Sequence, residues 1–190
     1  MVDIDGVISL FGAPAHTDPD RSRAGSLHSI DGMPHFLSSS AAAHLLALAE
    51  VYDLVWASGW EERANEHLPR LLGLPPALPF LRFERAVGRS HAHWKLDAIE
   101  RYAQARPLAW IDDSFNDACH DWARARAVPT LLVRTDPAHG LSGREARLLV
   151  RWAAQRRACE THSDAGCAPE RTRTPSGAAE PAGGHGDRPR

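Results

Sequence analysis

Three short apolar runs in this chain each end on polar residues, and helix-spaced stretches separate or flank them. The runs are "VYDLVWAS" (51–58), "LAWIDD" (108–113) and "TLLVRT" (130–135). They are short and rich in β-branched and aromatic residues, which suits buried strands better than helices. "EERANEHLPRLLGL" (61–74), "WKLDAIERYAQA" (94–105) and "SFNDACHDWARARA" (114–127) repeat their apolar residues at helical intervals. Strand alternating with helix predicts a parallel sheet covered on both faces, an α/β fold of three layers. In such sheets ligands bind beyond the carboxyl ends of the strands. The residues that terminate the apolar runs are therefore the first candidates for function.

The remaining segments fit around that frame. "LSGREARLLVRWAAQ" (141–155) predicts a closing helix with Ser142 as N-cap and Glu145 three residues on. Residues 8–40 are rich in Gly, Pro, Ser, Asp and His and predict a long loop or flap before a helix near 40–50. From about 158 the chain loses its large apolar residues and turns to Gly, Pro, Ser and Thr. Such a stretch cannot offset its ordering entropy, so the expected division is a domain over 1–157 and a disordered tail over 158–190.

Composition narrows the function classes. A net charge of −2 argues against a dedicated nucleic-acid or membrane surface. The three cysteines show no CxxC spacing and are odd in number, so a disulfide framework is not expected and a cytoplasmic location is. No apolar run approaches the roughly 20 residues needed to span a bilayer. The N-terminus has no signal-peptide pattern.

Four motifs end apolar runs or open helices. In "DIDGV" (3–7), strand spacing would send Asp3 and Asp5 to one side, with Gly6 allowing a sharp turn. Two acids so close raise each other's pKa unless a cation sits between them; a plain strand-end turn uses the same residues. In "WASGW" (56–60), Ser58 and Gly59 offer a hydroxyl and backbone N–H groups where a helix begins, which describes a phosphate cradle or an ordinary N-cap. Lys95 stands near a helix start, where the dipole disfavours a cation. It is either functional or one more solvated lysine. In "WIDDSFND" (110–117), Asp112, Asp113 and Asp117 crowd together without Cys or His, a donor set for a hard cation such as Mg²⁺. A helix dipole accounts for one or two acids there and poorly for three. His91 and His93 lack further zinc ligands at recognisable spacing.

Acid pair, hydroxyl, lysine and acid cluster, in this order, resemble the four motifs of the haloacid dehalogenase superfamily of phosphohydrolases, across nearly all of 1–157. "VWASGWEERAN", "LGLP", "KLDAIERYA" and "RPLAWIDD" look like a bacterial branch, the phosphatase-like module of Swiss Army Knife RNA repair proteins. The resemblance implies a Rossmann-like sheet and a Mg²⁺-dependent phosphatase. Asp3 would be the nucleophile that becomes an aspartyl phosphate, and Asp5 the general acid and base. Ser58, Gly59 and Lys95 would hold the phosphoryl group. Mg²⁺ would be held by Asp3, the carbonyl of Asp5, and Asp113 with help from Asp112 or Asp117.

Two departures shape the expectation. Only Met1 and Val2 precede Asp3, so either the true start lies upstream or the first strand is much shortened. The gap between Asp5 and Ser58 is too small and polar for a large cap domain, which suits a bulky phosphorylated partner such as a nucleotide, a nucleic-acid end or a phosphoprotein. The rival reading is a catalytically idle module that binds phosphate or a partner. Phosphotransfer to another acceptor, or dehalogenation, is a third. Of the six tryptophans, Trp60 and Trp94 adjoin motif residues and are candidate substrate platforms; the others read as core. The arginines of the closing helix read as a solvated basic face.

Overall fold

The computed structural model describes residues 1–11, 25–84 and 91–164, with side chains described as far as Cys159. The expected alternation is present as a small parallel sheet. Strand β4 (Leu108–Asp112) pairs in parallel with β5 (Thr130–Arg134). Beyond β4, single parallel bridges join Ile111 to Val2, Val2 to Trp56, and Trp56 to Phe80. The run 51–58 is thus an extended segment touching its neighbours at Trp56 rather than a full strand. On the neighbouring segment the chain turns soon after Val2, where Ile4 takes the amides of Val7, Ile8 and Ser9.

Alternation along these strands buries both faces. Val2, Trp56, Ala109, Ile111 and Val133 join one buried cluster, while Val55, Ala57, Leu108 and Trp110 join another. Helices α1 (Ser39–Leu48), α2 (Arg63–Leu72) and α5 (Gly143–Asp164) contribute to the first. Helices α3 (Leu96–Ala103) and α4 (Asp117–Ala125) contribute to the second.

Most of the described part of 8–40 is not the long loop expected. Strand β1 (Ser9–Leu10) pairs antiparallel with β3 (Met33–Ser38), which pairs antiparallel with β2 (Gly25–Ile30). Asp31 and Gly32 turn the hairpin at φ 50° and 79°. Two residues with positive φ make the turn whose twist matches flanking strands, and Asp-Gly is a strong local signal for it. The polar composition of the segment hid that signal. Residues 12–24 of the expected flap lie outside the described residues. Ser38 then caps α1, accepting from the Ala41 amide at 3.1 Å.

Helix boundaries shift for local reasons. Helix α2 begins after 61 because Glu61 stands at φ 49°, outside helical geometry, and it ends on left-handed Gly73. Helix α4 begins at Asp117, three residues beyond the expected 114, because Asn116 is the cap and accepts from the Cys119 amide. At α5 the capping box is present: the Ser142 amide donates to Glu145, and Ser142 Oγ accepts from the Arg144 amide at 3.2 Å. This helix continues past 155 to Asp164, with no Gly or Pro before Gly166 to stop it. The expected tail therefore loses 158–164 to helix; residues 165–190 lie outside the described residues.

Candidate functional site

Backbone pairing brings three strand ends to one edge of the sheet. Val2 donates to the Val55 carbonyl and accepts from the Ala57 amide, while Asp3 donates to the Ile111 carbonyl at 3.0 Å. Asp3, Ser58 and Asp112 thus emerge from neighbouring chains at the carboxyl edge. Oxygens of Asp3, Asp112 and Asp113 lie within 4.8 Å of one another. Among the described residues no other three Asp, Glu, His or Cys ligands meet in this way.

Lys95, at the end of a 3₁₀ turn (Ala92–Lys95), binds two of the acids. Its Nζ donates to Asp112 Oδ2 at 2.7 Å and to Asp3 Oδ2 at 2.8 Å, and all three side chains are buried. Asp112 Oδ1 accepts from the amide and the hydroxyl of Ser114. Asp3 Oδ1 accepts from the Ile4 amide at 2.8 Å. Asp112 is therefore fully engaged, whereas half-buried Asp113 faces Gly6. A Cβ on Gly6, which stands at φ +71°, would come within 2.4 Å of the Asp113 carboxyl carbon. Only glycine permits both the turn and that approach.

Asp5 is not on strand geometry with Asp3, because the chain turns at Ile4. It lies beside the group, near enough for its charge to raise the pKa of Asp113. Asp5 Oδ2 accepts from Trp60 Nε1 at 3.1 Å, and Oδ1 is buried with no partner. Ser58 Oγ is likewise buried without a partner, so the hydroxyl caps no helix. Gly59 follows on the exposed turn toward α2.

Electrostatics mark the group as short of positive charge. Burial pushes the Asp3 carboxyl up to about 7, against the pull of Lys95 and with a further push from Asp112. Burial also raises Asp5, opposed by the Trp60 hydrogen bond, and raises Asp113, where the Asp112 charge adds to it. Burial alone would lower Lys95, but Asp3 and Asp112 outweigh it and hold the ammonium above its ordinary range. Taken as ionised, three carboxylates face one ammonium and leave an excess of two negative charges, the charge of one divalent cation. The donors are all oxygen, which a hard cation prefers. Opposite ligands of Mg²⁺ stand about 4.2 Å apart, so Asp3 and Asp113, with oxygens within 4.8 Å of each other, close on it after a small movement. The residues present fit Mg²⁺.

Other expected site residues lie elsewhere. Asp117 is exposed at the first position of α4 and outside the acid group; the irregular stretch 113–116 separates it from Asp113. Trp94 packs edge-on against Phe83, with Lys95 Nζ 5.5 Å from its ring centre. Several contacts had no motif to announce them. Ser114 holds Asp112, and Thr135 Oγ1 donates to the Gly6 carbonyl at 2.9 Å. His35 packs against Trp60; the Asp-Gly turn would have placed it on a hairpin, but nothing in the sequence says which side chain it meets. A separate cavity of ≈ 200 Å³ lies at the opposite, amino end of the sheet, lined by Val2, Tyr52, Leu54, Val55, Leu108 and Ala109 among others.

A family model described as the HAD domain in Swiss Army Knife RNA repair proteins matches residues 1–146. No curated protein and no solved structure matches the chain. No helix among the described residues is long and apolar enough to cross a membrane.

Proposed function

Because the chain belongs to the HAD domain family of Swiss Army Knife RNA repair proteins, we propose that it hydrolyses phosphomonoesters through an aspartyl phosphate on Asp3, with Mg²⁺ as cofactor. The observation that carries this is the convergence of Asp3, Asp112 and Asp113 with buried Lys95, beside a buried and unpartnered Ser58 hydroxyl. The architecture belonging to this reading is a three-layer Rossmann-like sandwich without a large cap, supported by the burial of both sheet faces.

Each residue has a task that its surroundings support. A carboxylate oxygen of Asp3 attacks phosphorus, forming the Asp3 O–P bond as the ester P–O bond breaks. Both Asp3 oxygens accept one hydrogen bond, which leaves lone pairs for the attack. Asp5 gives its proton to the leaving oxygen, a role favoured by its raised pKa. Water then attacks phosphorus as the Asp3 O–P bond breaks, Asp5 takes up the proton of the water, and phosphate departs. Ser58 Oγ and the amides of the following turn donate to phosphoryl oxygens, while Lys95 neutralises them and keeps Asp3 oriented. Mg²⁺, held by Asp3, Asp113 and the Asp5 carbonyl, would screen the carboxylates from the incoming phosphate and stabilise charge on the transferring group. Asp112 serves by holding Lys95.

The substrate class we favour is a nucleotide or a nucleic-acid end. The family description and the absence, among the described residues, of a domain between Asp5 and Ser58 support it. Turnover of an aryl phosphate with Mg²⁺ tests the reading. Asp3→Asn is expected to abolish turnover and to leave circular dichroism unchanged; undiminished turnover refutes the mechanism. Beryllium fluoride, a mimic of aspartyl phosphate, is expected to raise the melting temperature only with Mg²⁺. Binding of phosphate without any turnover would favour an idle module instead.

A further inference from the structure

We propose that Trp60 is a positioning residue for Asp5, holding one carboxyl oxygen so that the other is presented to the leaving group, and that His35 of the hairpin holds Trp60 in place. The inference rests on the phosphomonoesterase reading above. Asp5 stands on a turn, so its carboxyl orientation is not set by strand geometry. Trp60 Nε1 donates to its Oδ2 at 3.1 Å. An indole N–H only donates, so the oxygen it meets remains an acceptor in either protonation state of Asp5. Oδ1, which is buried and has no protein partner, is thereby the oxygen left for the leaving group. In the transfer, the Asp5 Oδ1–H bond breaks as the O–H bond of the leaving alcohol forms, and the indole keeps its own hydrogen.

The indole is itself held by an element remote in sequence. The His35 ring meets it edge-on, centroids 4.8 Å apart at 70°. His35 Nδ1 pairs with Ser9 Oγ at 2.9 Å, tying β3 to β1. Asp31, in the hairpin turn, makes an ion pair with Arg63 of α2, the helix that follows Trp60. Hairpin, first loop and the turn after Ser58 therefore converge on one carboxyl.

The test compares kcat/KM with Mg²⁺ for p-nitrophenyl phosphate, whose leaving group needs no proton, and for an alkyl phosphate, whose leaving group does. General acid catalysis contributes ~10²–10⁴-fold, so Trp60→Phe, which misplaces the acid without removing it, is expected to cost about 10–100-fold on the alkyl ester and under about threefold on the aryl ester. Equal losses on both overturn the positioning role and leave the phosphatase reading standing. A wild-type protein inert toward both esters overturns that reading and this role with it. Should Trp60→Phe fail to fold, His35→Ala carries the test, with a smaller loss of the same selectivity expected and an equal loss refuting. In the metal-free protein, Asp5→Leu is expected to shift the Trp60 indole ¹H–¹⁵N signal and speed its hydrogen exchange. An unmoved signal refutes the hydrogen bond.

Discussion

Replacing Lys95 by methionine removes the ammonium between Asp3 and Asp112 while keeping an unbranched apolar stem of similar volume. The change is therefore chiefly electrostatic. Lys95 makes hydrogen bonds of 2.7 and 2.8 Å to two acids, one of them (Asp112) 0% exposed. Removing one partner of a buried ion pair costs about 3–5 kcal/mol, because the orphaned charge stays buried. At about 2–4 °C per kcal/mol for a chain of this size, the melting temperature should fall by roughly 6–20 °C. The sign of the pH dependence follows from the carboxyls. Asp3 is raised from 3.8 to about 7 in the folded wild type, so the native state holds its proton more tightly than the unfolded chain. Metal-free stability therefore declines as pH rises from about 4 to about 7 and levels off above. Without Lys95 the acids lose a counter-charge and rise further, which extends the decline to higher pH. The assay is urea and thermal unfolding of both proteins at pH 5 and pH 8, with and without Mg²⁺. The variant's deficit should be larger at pH 8, smaller at pH 5, and reduced by Mg²⁺. A deficit below about 1 kcal/mol, the scale of an exposed pair, or one indifferent to pH, would refute Lys95 as the buried counter-charge.

Three further outcomes are expected. Gly6→Ala forces a Cβ into the Asp113 carboxylate and a left-handed backbone on alanine; a loss of about 1–2 kcal/mol from the backbone alone, with weaker Mg²⁺ binding by calorimetry, would follow. Asp117→Asn should leave turnover within about twofold, as an exposed helix-start acid is worth about 0.3–1 kcal/mol of stability and no more; a collapse of activity would return Asp117 to the metal site. Ser142→Ala should cost about 1 kcal/mol in unfolding experiments by removing the α5 cap, with turnover unaffected.

Much of the site was legible in the residues because its parts lie at the ends of short apolar runs. Asp3 and Asp112 needed only the inference that such runs form a parallel sheet, and Gly6 only the need for a turn. Lys95 stood at a helix start where the dipole disfavours it. Ser58 was ambiguous, since a cap and a cradle use the same residue; in the fold its hydroxyl caps no helix. Asp117 lies apart from the acid group because Asn116 caps the helix after an irregular stretch, a boundary that the crowding of acids in the sequence does not show. The hairpin was obscured by composition, although Asp31-Gly32 announced its turn.

Periodicity and run-ending acids by themselves determined the class of fold, the edge of the sheet where the acids meet and most of its charged residues, because backbone geometry ties side-chain direction to short sequence intervals. Tertiary packing alone decided that Lys95 belongs to Asp3 and Asp112, that Trp60 turns its N–H to Asp5, and that His35 arrives from a hairpin to meet it. Those contacts join residues 17 to 92 positions apart. No local pattern encodes them; they exist because burial brings the chains together and each buried charge must then find a partner.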